Sequence, residues 1–115
     1  MTMCGAEDRP TPPIACNLGA IAAADRPRYR DLMARLRSAI RESHELQNGY
    51  ALDLDVAGIS LIEVAEWMNM ERLCCPFLAL ELGASGTRGY WTLRVTGPIE
   101  AKDLIREEFL LNRQR

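Results

Sequence analysis

Three thiols dominate the chemistry this chain can offer. Cys74 and Cys75 sit side by side in Glu71-Arg72-Leu73-Cys74-Cys75-Pro76-Phe77, and Cys16 lies at the centre of the short apolar segment Ile14-Ala15-Cys16-Asn17-Leu18. Thiolates are soft ligands that select Cu(I), Zn(II) and similar ions. The same softness suits trivalent arsenic or Hg(II). An adjacent pair can also cycle between dithiol and disulfide, and a reduced cysteine can simply fill core space. Cys4, Cys16, Cys74 and Cys75 contain no CxxC pair, so zinc-ribbon and thioredoxin signatures are absent.

The position of the pair favours a cation over a nucleophile. Cys74 and Cys75 close a strongly helical pattern, and Pro76 ends it because the residue before proline avoids helical angles. A helix C-terminus carries partial negative charge, which raises thiol pKa values and attracts a bound cation. Successive helical residues point about 100° apart, so both thiols meet one atom only where the helix unwinds. Glu71 precedes Cys74 by three residues and Cys75 by four, within reach of the same place. Arg88, in the glycine-rich loop 83–89, is a second candidate to support the site. His44, the only histidine, reads as a surface residue at a helix-to-strand junction rather than as a ligand or base.

The elements that must position these groups follow from periodicity. Residues 1–13 read as a flexible tail holding Cys4 and several prolines. Asp25-Arg26-Pro27 reads as a helix start with Asp25 as N-cap. Tyr29, Leu32, Met33, Leu36 and Ile40 form the apolar stripe of a helix expected to run to about Glu42. Its other face is rich in arginine, interleaved with acids, and reads as solvated. Asn48-Gly49 signals a hairpin, with one strand from His44 to Gln47 and Tyr50, Leu52, Leu54 and Val56 on the buried face of the other. Ser60 with Glu63 reads as a capping box that opens a second helix, its apolar side formed by Leu61, Val64, Ala65, Met68 and Leu73, widened by Trp67 and Met70. Two further strands follow, with Leu78, Leu80 and Leu82 on one and Trp91, Leu93 and Val95 on the other. Gly97-Pro98 precedes a last helix with Ala101, Leu104, Ile105 and Phe109 turned inward. Residues 112–115 are a polar tail.

The order is α-ββ-α-ββ-α. It implies a single α+β domain over residues 14–111, a four-stranded antiparallel sheet with three helices on one face. The chain's 115 residues suffice for one domain, which needs no disulfide or metal merely to fold. A net charge of -2 gives no field that would draw nucleic acid or an acidic membrane. With no export signal and no apolar run near the ~20 residues that span a bilayer, a cytoplasmic location is expected, where thiols are mostly reduced. The apolar second helix, with Trp67 and nearby methionines, leaves room for a homodimer.

The quoted segments also resemble a family. Cys16-Asn17-Leu18, Asn48-Gly49-Tyr50, Glu71 to Leu78, and Leu93-Arg94-Val95-Thr96-Gly97-Pro98 with Lys102 are similar to a family of small uncharacterised bacterial proteins with "CN" and "ERxCCPF" segments. The resemblance covers residues 14–111, and its CCPF part is the more specific. It implies a bacterial cytoplasmic protein and marks Cys16, Cys74 and Cys75 as shared thiols. Pro98-Ile99-Glu100 departs from the Pro-Glu-Gly of that pattern. The expectation is thus a protein that binds a soft metal or metalloid ion through Cys16, Cys74 and Cys75, for sequestration, transfer or sensing. The alternatives are a redox protein using Cys74 and Cys75, and an interaction domain whose cysteines are core.

Overall fold

A computed structural model describes residues 14–111. Both predicted tails, Cys4 included, lie outside the described residues. Helix α1 (Arg26–Ala39) leads into β1 (Ile40–Leu46) and β2 (Gly49–Asp55); α2 (Leu61–Cys74) leads into β3 (Ala79–Gly83) and β4 (Tyr90–Thr96). Helix α3 (Lys102–Arg106) is entered through a 3₁₀ turn, Ile99–Ala101, and leaves through a π-helical turn, Glu107–Leu111. Two 3₁₀ turns, Leu18–Ala20 and Ala23–Asp25, precede α1. The α-ββ-α-ββ-α order and the α+β class are those expected.

The sheet is antiparallel throughout, in the order β1-β2-β4-β3. Leu52 pairs with Leu93, Tyr50 with Val95 and Leu54 with Trp91. These residues share one face, and all but the half-buried Trp91 are buried. Helices α1 and α3 pack against the sheet, and α2 packs on α1. Trp67 of α2 fills the space between them. Its indole N–H donates to Met33 Sδ at 3.1 Å, and its ring meets Phe109 edge-on at 5.8 Å. The opposite face is polar, with His44 against Asp53 and Arg94 against Glu81.

Several local expectations shift. Helix α1 stops at Ala39, not Glu42, because Ile40 turns extended and pairs with Leu54. A β-branched residue with a strand partner outweighs its helical spacing. Asp25 precedes α1 without capping it by its side chain. The hairpin closes with Leu46 opposite Gly49, so Gln47 and Asn48 form the turn, one residue earlier than expected. Gly49 serves another need: a Cβ there would run into the backbone carbonyl of Val95 on β4. The Ser60–Glu63 capping box is formed in both directions, at 3.1 and 3.0 Å.

The largest correction concerns α2. Its buried face is Val64, Trp67, Met70, Glu71 and Cys74. Ala65 and Leu73 point outward, Leu73 at 42 % exposure. Two bidentate ion pairs across the outer groove, Arg28 to Glu66 and Arg35 to Glu63, hold α2 against α1 in this rotation. The arginines of α1 are therefore partly engaged with a neighbouring helix rather than simply solvated.

A candidate cysteine site beneath a cationic cavity

The C-terminus of α2 carries the site. The helix ends at Cys74, and Cys75 leaves it at φ −128° and ψ 71°. That break lets neighbouring side chains converge, as a continuous helix would not. The N-terminal segment reaches the same place. Asn17 N–H donates to Cys74 O at 2.7 Å, and Asn17 Oδ1 accepts from Gly19 N–H, opening the 3₁₀ turn. Ile21, buried to 1 %, and Arg26, whose Nε donates to Ile21 O at 3.0 Å, pin the segment behind it.

Cys16, Cys74 and Cys75 are brought together, with their three sulfurs within 4.8 Å of one another. Cys16 and Cys75 stand at disulfide distance and are joined. Cys74 is free and buried, its sulfur 3.7 Å from that of Cys75. The redox alternative placed its disulfide between the adjacent residues; the bond runs from Cys75 to Cys16 instead. A 59-residue separation brings the partner from another segment, leaving the adjacent thiol as a third sulfur.

Glu71 lies under the site, at 2 % exposure. Its carboxyl accepts from the Tyr29 hydroxyl at 2.6 Å. Burial pushes the carboxyl up to about 7, with the Tyr29 hydrogen bond pulling the other way. The Cys74 thiol is also raised, first by burial and then by the Glu71 charge. The raised thiol was expected; its main cause is desolvation. The Tyr29 hydroxyl is raised well beyond its ordinary range by burial and by Glu71.

A cavity of about 410 Å³ opens over the sulfurs, walled by Cys16, Leu18, Tyr29, Arg30, Met33, Arg37, Cys74 and Glu108. Tyr29, Arg30, Met33 and Arg37 are successive turns of one face of α1. Arg37 Nε donates to Glu108 O at 2.9 Å, and its Nη2 lies 4.0 Å from the Glu108 carboxylate. Tyr29, Arg30, Arg37 and Glu108 escaped the sequence reading as parts of the site. Tyr29 passed as plain core, although a buried hydroxyl needs a partner. Arg30 and Arg37, seven residues apart, merged into a charged face.

Arg88 stands elsewhere. It lies in the loop between β3 and β4, the length of β3 away from Cys75, and its guanidinium sits over the Tyr90 ring at 5.6 Å. It lines a different pocket, with Ser85 and Thr92. His44 is likewise apart, on exposed β1, 3.0 Å from Asp53, whose carboxylate raises its pKa.

The site defines a class: an α+β protein with a three-cysteine cluster, compatible with cysteine-based metal binding or redox chemistry. No helix among the described residues is long and apolar enough to cross a membrane. A scan against protein-family models and searches of curated proteins and solved structures find no match.

Proposed function

We propose that the protein binds a soft metal or metalloid ion through the thiolates of Cys16, Cys74 and Cys75, for sequestration, transfer or sensing. The observation that carries this reading is the gathering of three sulfurs, from two distant segments, within 4.8 Å. An ion held at about 2.3 Å by three coplanar sulfurs needs them about 4 Å apart. Cys74 and Cys75, at 3.7 Å, already fit, and only Cys16 has to withdraw. Three thiolates on a divalent ion leave an excess negative charge. Arg30 and Arg37 on the cavity wall offset it. The resemblance to the CN and ERxCCPF proteins marks the same thiols.

Native mass spectrometry of the reduced protein with Zn(II), Cu(I), Hg(II) and arsenite in turn tests the reading. One ion should bind tightly and be lost in Cys74→Ser/Cys75→Ser. If none binds, the ion reading falls. Because the Cys74 proton must leave, affinity should rise with pH.

One observation favours a second reading, thiol redox chemistry: the Cys16–Cys75 bond with a third thiol against it. A sulfur in a disulfide is no longer a thiolate ligand. The two chemistries are therefore alternative states of one site. Mild oxidation should remove two hydrogens and map to Cys16 and Cys75. A fully reduced protein after that treatment would count against it.

A further inference from the structure

The cavity wall carries positive charge that the disulfide state of the site leaves without a thiolate partner. Arg30 is exposed and makes no hydrogen bond or ion pair among the described residues. It follows Tyr29 on α1 and opens on the same space as Arg37 and Cys16. Glu108 offsets part of the Arg37 charge at 4.0 Å, while Arg30 has no acidic neighbour within ion-pair distance among the described residues. The two cysteines of the disulfide also differ in exposure. Cys16 is exposed and lines the cavity, whereas Cys75 is fully buried. The volume of about 410 Å³ is that of a small-molecule pocket.

We propose that this cavity recognises a small thiol bearing a carboxylate, which opens the Cys16–Cys75 disulfide by attack on Cys16. The inference rests on the cysteine-site reading above and names the reaction partner that switches the site between its two states. The guanidinium groups hold the carboxylate, and the ligand's thiolate meets the sulfur of the exposed cysteine, Cys16. A bond forms between ligand sulfur and Cys16 Sγ, and the Cys16–Cys75 bond breaks. The electron pair leaves on Cys75, which takes a proton from water. The ligand is oxidised to a mixed disulfide. A second molecule of the same thiol attacks its own kind in that adduct, releases Cys16 as a thiolate and departs as the symmetrical disulfide. Two thiols are thereby oxidised and one protein disulfide is reduced, which completes the three-thiol set.

The test uses the full chain carrying Cys4→Ser, air-oxidised, and two thiols of similar size and opposite charge, 3-mercaptopropionate and cysteamine. Each opening rate is expressed per thiolate and divided by that for bis(2-hydroxyethyl) disulfide, a neutral reference. The corrected ratio should favour mercaptopropionate by roughly tenfold at low salt and shrink as salt is added. Arg30→Gln, which breaks no hydrogen bond of the fold, should lower the ratio several-fold. Acid-quenched adducts should map to Cys16. Equal corrected rates, a ratio untouched by Arg30→Gln, or a first adduct on Cys75 would each overturn the inference while leaving ion uptake by the reduced protein intact. A starting protein with no Cys16–Cys75 bond and no ion uptake once reduced would remove the underlying reading, and this inference with it.

Discussion

Replacing Glu71 by glutamine should make the protein more stable at high pH and leave the balance little changed at low pH. Glutamine keeps the shape and still accepts from the Tyr29 hydroxyl, but it cannot ionise. In the native protein burial raises the Glu71 carboxyl from an ordinary 4.5 to about 7. The folded state therefore holds a proton that the unfolded chain has released between those limits. Stability falls with pH wherever the native state binds more protons. The Glu71 contribution is thus fully present below about 4.5 and is lost as pH rises through about 7. The rise from 4.5 to about 7 corresponds to about 3 kcal/mol, at about 1.4 kcal/mol for each tenfold change in proton affinity.

The assay is a series of thermal or urea melts of both proteins, disulfide intact, at half-unit steps from pH 4.5 to 8.5. Groups that do not feel Glu71 cancel in the difference, and the two that do, Cys74 and Tyr29, are raised above their ordinary alkaline values and stay protonated in the folded protein across the series. The amide that Glu71→Gln introduces adds an offset independent of pH. The difference should grow in favour of E71Q by about 3 kcal/mol across the series, roughly 10 °C in Tm for a domain this size. Parallel stability curves would refute the reasoning, because they would mean that Glu71 titrates alike in both states.

Three further outcomes are expected. Gly49→Ala should destabilise by about 1–3 kcal/mol, because the new Cβ is driven into the β4 backbone; an unchanged denaturation midpoint would argue against that close approach. Ser60→Ala should cost about 1 kcal/mol through loss of the capping box at α2, read by the same melts. Asp53→Asn should lower the His44 pKa, followed by the imidazole resonances in an NMR titration, because the Asp53 carboxylate is what raises it; an unmoved titration would show that the pair does not persist in solution.

Much of the fold was legible because its signals are local. Ser60 with Glu63, Pro76 after the paired thiols, and the alternation through Tyr50, Leu52 and Leu54 each act within a few residues. The face of α2 was legible in Val64, Trp67 and Met70 and misplaced at Ala65 and Leu73, for a physical reason. Its true stripe, Val64, Trp67, Glu71 and Cys74, has helical spacing but contains a glutamate, and polar character disqualified the residue that holds the site's buried carboxyl. The three thiols were legible as a set, yet their connectivity was not. The bond to Cys16 and the Tyr29–Glu71 hydrogen bond join residues 59 and 42 apart, and spacing along a chain carries no record of such meetings. Arg88 failed the same way: a loop next to the cysteines in sequence begins where β3 has already carried the chain away.

The Cys16–Cys75 bond also divides the molecule topologically. It closes a covalent ring that contains α1, the β1–β2 hairpin and α2, while β3, β4 and α3 hang outside it. By loop length, such a ring removes about 4 kcal/mol of chain entropy from the unfolded state. The ring's boundary runs through the sheet itself, between β2 inside and β4 outside. Oxidation thus ties both ends of the inner segment together, while β3, β4 and α3 join it only through the backbone after Cys75, the β2–β4 pairing and core packing. The chemical state of one sulfur pair sets how far the segment that leads into α1 can part from the end of α2.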